Sequence, residues 1–270
     1  MFTLKWSHKR YNIDRGDTMN LYDAICYRYS VRKYKPLIIS ETHQKSIHDF
    51  FNTLESISSR NHINVELFEA DQRFEDLFKG VTNGYFRVKA PHYICFSTND
   101  YTQDNLLNIG YLGEKISLYL TTLGIGSCWL GTPIDKDAFS MLTSHKNDEY
   151  VIMMAIGYPE KELSPILSRK RLPLNKLVSE NYPSVFNHVV DAFVASPSAV
   201  NVQPWKLSLT PQIIEVKSQS RSLLSKIFVK KYRAIDLGIA ICHINEALDE
   251  EGFSYDQHII SSSHCKWYLT

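Results

Sequence analysis

Among the 11 glycines there is no Gly-x-Gly-x-x-Gly run and no Gly-Lys pair, which removes the standard dinucleotide fingerprint and the P-loop. The 10 histidines never fall in a His-Glu-x-x-His pattern and no Gly-x-Ser-x-Gly elbow occurs, so zinc peptidase and serine hydrolase chemistry lose their usual support. Cysteine is sparse and odd in number. Cys26, Cys95, Cys128, Cys242 and Cys265 include no Cys-x-x-Cys spacing, which argues against a disulfide framework or zinc knuckle and for small buried thiols. Neither sign of charge dominates: 30 Lys and Arg against 29 Asp and Glu leave +1, so no summed field favours nucleic acid or an anionic membrane. No apolar run approaches the roughly 18 residues that cross a bilayer, and the amino terminus is too polar and basic for a secretory segment. These absences predict a cytosolic chain with no nucleic acid, membrane or metal partner.

What is present suffices for a large core. A chain of 270 residues, 44% hydrophobic and 12% aromatic, can build one large domain or two fused halves. Residues 1–18, with Arg15-Gly16-Asp17 ahead of Met19, are polar and unpatterned and are expected to be an unstructured extension. Ser40 can cap a helix whose inward stripe is Ile47, Phe50, Phe51, Leu54 and Ile57. Alternating Ile63, Val65 and Leu67 predict a strand; His92–Ser97 and Tyr150–Ile156 predict two more, the last buried on both faces. The longest helical pattern runs from about Asp104 to Leu123 and stops at Gly124. A second runs from about Ile235 to Glu251, with Asp236 near its start, and stops at Gly252. The same spacing separates Gly110 from Gly124 and Gly238 from Gly252, which predicts a diverged tandem duplication. The boundary between halves is placed in the proline-containing stretch from Leu163 to Pro183, giving 19–162 and 163–270. A new helix follows, with Val185, Phe186, Val189 and Phe193 inward.

Five short segments carry the chemistry. Arg28-Tyr29-Ser30-Val31-Arg32-Lys33-Tyr34 brackets a hydroxyl with two guanidiniums, a grouping suited to a phosphate. Gly124-Ile125-Gly126-Ser127-Cys128-Trp129-Leu130-Gly131 reads as a turn whose glycines admit a flat ligand close to the backbone. Ala155-Ile156-Gly157-Tyr158-Pro159 closes a buried strand, and Arg169-Lys170-Arg171-Leu172-Pro173 adds a second basic cluster. In Ser196-Pro197-Ser198-Ala199-Val200-Asn201-Val202-Gln203-Pro204-Trp205, two prolines stiffen a loop rich in hydrogen-bonding side chains suited to a heterocycle edge. His188, Cys128 and Asp191 lie close to these elements, and each is read as structural.

Taken together and in this order, these segments resemble the flavin-dependent nitroreductase family, and in particular its tandem variant. The resemblance covers about Met19 to Gly252. It implies an α+β fold of two pseudo-repeated halves, each with a mainly antiparallel sheet and helices. It also implies one FMN, held between elements that ordinary members draw from two subunits and that this chain carries alone. By that resemblance Arg28, Ser30 and Arg32 hold the FMN phosphate and ribityl chain, with Arg32 reaching toward the pyrimidine edge. Arg169 and Arg171 form a second phosphate-binding pair. Backbone amides at Leu130 and Gly131 face the central ring, and Pro197, Ser198 and Asn201 close its other side; Tyr29, Cys128, Trp129 and Ala199 lie within the same motifs and are counted with them. The early segment Glu55-Ser56-Ile57-Ser58-Ser59-Arg60-Asn61 lacks the Pro-Ser signature, and Phe253-Ser254-Tyr255-Asp256-Gln257 lacks the glycines, so the second pseudo-site is expected to be dead. The implied activity takes a hydride from NADH or NADPH to a quinone, nitroaromatic or similar small acceptor, with no protein acid or base and the acceptor near Tyr85 or Phe86. A flavin carrier or sensor without turnover is the alternative. Flavin-consuming or dehalogenating chemistry would need a lid that the sequence does not show.

Overall fold

The computed structural model describes residues 2–3, 11, 18–58, 62–79, 88–166, 168–219 and 232–270. In chain order the elements are β1 (Phe2–Thr3), α1 (Leu21–Tyr27), α2 (Glu41–Phe51), β2 (Ile63–Glu69), α3 (Gln72–Asp76), β3 (His92–Thr98), α4 (Gln103–Thr122), β4 (Gly126–Leu130), α5 (Lys136–Leu142) and β5 (Glu149–Gly157). There follow β6 (Ser168–Arg169), α6 (Leu174–Leu177), α7 (Asn187–Ala195), β7 (Trp205–Leu209), β8 (Ile213–Ser218), α8 (Arg233–Glu250), β9 (Tyr255–Ser261) and β10 (His264–Leu269). Tyr85 and Phe86 lie outside the described residues, as do Arg15-Gly16-Asp17 and Ser59-Arg60-Asn61.

Two four-stranded antiparallel sheets dominate, ordered β2-β3-β5-β4 and β7-β8-β10-β9. The two share a strand order: an antiparallel pair, a long helix, and a second antiparallel pair whose last strand sits inside the sheet. The first sheet is covered on both faces. Ile94, Phe96, Ile152 and Met154 join the main core with α4, while Tyr93, Cys95, Met153 and Ala155 pack with Phe74 and Phe139 of α3 and α5. That double burial is why β3 and most of β5 read as continuous apolar runs. The second sheet buries one face, so β7 alternates buried Trp205, Leu207 and Leu209 with half-buried residues.

Between the sheets α4 and α8 cross at their glycines. A Cβ on Gly110 would lie 2.0 Å from the carbonyl oxygen of Ile235, and one on Gly238 would lie 2.0 Å from that of Leu107. Each glycine thus meets the carbonyl three residues before the other, a reciprocal backbone contact that no larger residue permits. Both helices also end alike. Gly124 (φ 72°) and Gly252 (φ 73°) are left-handed, and the next N–H returns to the helix, Ile125 to Leu120 at 2.9 Å and Phe253 to Leu248 at 3.0 Å. Side-chain caps start the helices where the sequence offers them, Asn20 on Asp23, Ser40 on His43 and Thr102 on Asn105.

Several expectations are corrected. Residues 1–18 are not without structure throughout: Phe2–Thr3 pair antiparallel with Ser168–Arg169, and the Tyr11 ring packs edge-on against Tyr27. The helix opened by Ser40 ends at Phe51, and Leu54 and Ile57 reach the core from the following loop. Gly126–Leu130 is an edge strand rather than a turn, because its backbone pairs with β5 from Gly157 to Met153. Val185 is 57% exposed, since residues 184–186 form a 3-10 turn ahead of α7. All five cysteines are free and buried. Among the described residues no helix is long and apolar enough to cross a membrane, and no acidic, His and Cys cluster could hold a metal.

Candidate functional site

The Arg28–Tyr34 segment leaves α1 in extended conformation and is stitched along β4. The Val31 N–H donates to Ser127 O at 2.9 Å, and the Tyr34 hydroxyl reaches Val31 O at 2.8 Å and Ala155 O at 3.0 Å. Ser30 therefore lies beside Ser127, one residue from Cys128. The Cys128 thiol is pushed up by burial, opposed by Arg32, Arg28 and a hydrogen bond with Ser30, which places those four predicted residues in one neighbourhood. Arg32 is exposed and folds back on its own loop, Nη1 to Ser30 O at 3.2 Å. Tyr29 is half-buried, its hydroxyl on Lys161 O at 3.5 Å.

Arg28 is 4% exposed, and its Nε lies 3.2 Å from Glu114 Oε1 on α4. Glu114 is fully buried and also receives Trp129 Nε1–H at 2.9 Å and meets His243 Nε2 at 3.0 Å. Burial pushes its carboxyl up, but Arg28, His243 and Trp129 outweigh that and hold it below the ordinary carboxylate range. Sequence reasoning missed Glu114 and His243. A glutamate on the inward face of an otherwise apolar helix was the available signal.

Arg169 and Arg171, the pair the resemblance assigns to the phosphate, are each engaged with the end of a helix. Arg169 Nη2 caps α1, donating to Ile25 O at 2.8 Å and Arg28 O at 2.9 Å. Arg171 caps α7: Nε to Val194 O at 2.6 Å and Nη2 to Ala195 O at 2.8 Å, with Nη1 bound to Lys170 O and Asn201 Oδ1. Cationic ends of this kind complement the helix C-termini. The two arginines nevertheless remain crowded with Arg28. Burial and the repulsion of Arg28 hold the Arg169 guanidinium well below its usual range and that of Arg171 down to about 10. Glu114 is the one carboxylate ion-paired with any of these three among the described residues.

The Ser196–Trp205 loop is bonded to the basic segment. Asn201 bonds Arg171 through Oδ1 at 3.1 Å and Lys170 O through Nδ2 at 3.0 Å, so its amide anchors the basic segment. Gln203 braces the same segment, its Oε1 accepting from the Leu172 N–H at 2.9 Å. The backbone is strained here: Val200 (φ 44°), Asn201 (φ 59°) and Gln203 (φ 53°) are all left-handed, which for a β-branched valine is a true outlier. Ala199 N–H donates to Asp236 Oδ1 at 2.8 Å, while Pro197 and Ser198 are half-buried. At the end of β4, Leu130 is buried and Gly131 exposed. The Tyr232 hydroxyl donates to Gly131 O at 3.0 Å, and a Cβ on Gly131 would come within 2.6 Å of it.

The α+β architecture, with two antiparallel sheets around paired long helices, is that of a nitroreductase fold. The chain belongs to the family described as "Putative TM nitroreductase", whose model matches residues 20–248. The structure of a putative nitroreductase from Thermotoga maritima is 22% identical, covers 94% of this chain and 95% of its own, and superposes with a TM-score of 0.67. An FMN-dependent nitroreductase from Clostridium difficile is 19% identical over 59% of this chain and 98% of its own, with a TM-score of 0.48. A nitroreductase with bound FMN from Desulfitobacterium hafniense is 18% identical over 56% of this chain and 96% of its own, also at 0.48. Among curated proteins none matches the chain.

Proposed function

We propose that this chain binds one FMN among Arg28–Arg32, the end of β4 and the Ser196–Trp205 loop, and acts as an NAD(P)H-dependent FMN oxidoreductase. The observation that carries this reading is the surplus of positive charge. Arg28, Arg169 and Arg171 crowd together with Glu114 as the one paired carboxylate, and Arg32 and Lys170 add exposed charge beside them. Buried Arg169 Nε also lacks a hydrogen-bonded partner among the described residues. A dianionic phosphate would relieve both conditions. Arg28, Arg32 and Ser30 are its direct donors in this reading; Arg169 and Arg171 contribute field while they cap helices. Leu130 and Gly131 would give the ring a backbone edge, with Pro197, Ser198 and Ala199 opposite. Tyr29, Cys128 and Trp129 would support the first wall.

When bound, FMN supplies the centre that accepts a hydride from NADH or NADPH and returns electrons to a quinone, nitroaromatic or similar small acceptor. The protein's part is position and positive charge, and no residue of the neighbourhood is assigned as acid or base. The functional site lies within one chain, built from halves 19–162 and 163–270 that we read as a fused tandem pair. The connecting segment serves both, with Arg169 on α1 and Arg171 on α7. The test is the absorbance spectrum of the purified protein, followed by anaerobic NADH or NADPH and then a quinone. Flavin that bleaches and recovers supports the oxidoreductase. Flavin that binds but does not bleach would make the protein a carrier or sensor, and an absence of flavin binding would overturn the reading.

A further inference from the structure

The two long helices each hold the loop that follows a shorter helix, and they do so at corresponding positions. On α4, two residues before Gly110, Asn108 Oδ1 accepts the Ile57 N–H at 3.1 Å. Its Nδ2 donates to Ser58 Oγ at 2.8 Å and to the carbonyl one turn back, Asp104 O, at 3.1 Å. On α8, two residues before Gly238, Asp236 Oδ1 accepts the Ala199 N–H at 2.8 Å. The reciprocal crossing of Gly110 and Gly238 makes this correspondence spatial as well as sequential. The halves differ in the second atom. Asn108 has an amide NH2 with acceptors around it, whereas Asp236 has Oδ2, buried and without a hydrogen-bonded partner among the described residues. The carbonyl one turn back from Asp236 is that of Tyr232, again an acceptor.

We propose that Asp236 is a positioning residue carried as a neutral carboxylic acid, an isostere of the Asn108 amide. Its carbonyl oxygen holds the Ser196–Trp205 loop at Ala199, and loss of its proton leaves at Oδ2 a buried charge that disturbs the packing under that loop. A proton on Oδ2 supplies the donor that the amide supplies in the other half, and an ionised carboxylate would leave an uncompensated buried charge. Burial pushes the Asp236 carboxyl up to about 8, against the Ala199 N–H, which lowers it. Burial is the larger of these two causes. The consequence for FMN rests on the functional reading above; the protonation itself does not.

The carboxyl is raised in the folded state, so its contribution to stability is fully present below the unfolded value near pH 4 and is lost as pH rises through about 8. The experiment compares full-length wild type with Asp236→Asn in thermal unfolding from pH 5 to 9 without added flavin, and in FMN titrations at pH 7 and 9. Asp236→Asn should gain stability relative to wild type as pH rises to about 8, and the gap should then stay constant. Wild type should lose FMN affinity several-fold more than Asp236→Asn between pH 7 and 9. A carboxylic-acid carbonyl band in the infrared, present in wild type at pH 7 and absent in the variant, reads the proton directly. Parallel stability profiles or a missing band would overturn the neutral acid. A stability gap with equal FMN dependence in both proteins would uphold the acid and overturn the loop's role at FMN. Asn108→Asp is the mirror test, expected to bring in the same pH-dependent destabilisation without altering the pH dependence of FMN binding.

Discussion

His243 on α8 meets Glu114 on α4 at 3.0 Å, while its other ring nitrogen lies 2.8 Å from the carbonyl of Ala192. Both nitrogens thus oppose acceptors, and a neutral imidazole can donate to one of them only. Burial, against the pull of Glu114, holds the imidazole below its ordinary range and favours the neutral ring, whose single N–H serves one of the two acceptors. The contact is fully buried and joins α7, α8, α4 and, through Arg28, α1.

Removing that ring should be costly. His243→Ala leaves Glu114 with Arg28 and Trp129 alone and opens a cavity beside Ala192, for an expected loss of about 3 kcal/mol. The measurement is the urea midpoint. A loss within a few tenths of a kcal/mol would show that the contact is not held in solution.

Arg28→Ala should weaken FMN binding about ten- to hundred-fold, the equivalent of ~1.5–3 kcal/mol for a charged hydrogen bond. Lys33→Ala, at an exposed position in the same segment, should leave affinity close to wild type. Fluorescence titration of the flavin compares the two. Equal dissociation constants would move the phosphate away from Arg28.

The helix crossing gives a steric prediction. Alanine at Gly110 or Gly238 places a methyl group against a carbonyl oxygen that cannot yield without separating the helices, so each single variant should lose about 3 kcal/mol. The double variant should lose clearly less than the two losses added, because the first methyl has already parted the backbones for the second. Additive losses in a urea series would show that the two sites yield independently.

In the strained loop, Val200→Gly should stabilise the protein by about 1 kcal/mol, since glycine accepts the left-handed backbone and the valine side chain is 81% exposed and buries little. Asn201→Ala should act the other way, freeing Arg171 Nη1 and Lys170 O, and should lower FMN affinity modestly while shifting the flavin spectrum. Thermal unfolding checks the first substitution. An unchanged spectrum and affinity in the second would separate this loop from the flavin.

The sequence revealed most where structure is local. Both long helices, their glycine ends and the apolar runs of β3 and β5 are legible because capping and burial leave their mark within a few residues. Gly126–Leu130 reads as a turn because glycine and serine depress strand propensity, and the partner that makes it a strand lies farther along the chain in β5. The same applies to Phe2–Thr3, whose partner is Ser168–Arg169. At the candidate site the motifs point to segments that the fold brings together, but not to the protein contacts of each side chain. That Arg169 and Arg171 also cap α1 and α7 is not legible, because the carbonyls they meet come from distant parts of the chain. Glu114, His243 and Asp236 acquire meaning only when α4 and α8 are packed together.

The crossing of Gly110 and Gly238 also restricts how this sequence can drift. Each glycine is fixed by a carbonyl from the opposite helix, an atom every residue possesses, so no substitution at Ile235 or Leu107 relieves the clash that a side chain at either glycine would create. Compensation by a single neighbouring change is closed, and α4 and α8 must be inherited as a matched pair. The solvated face of the second sheet, where Ile260 and Tyr268 stand exposed, meets no such constraint and is free to diverge.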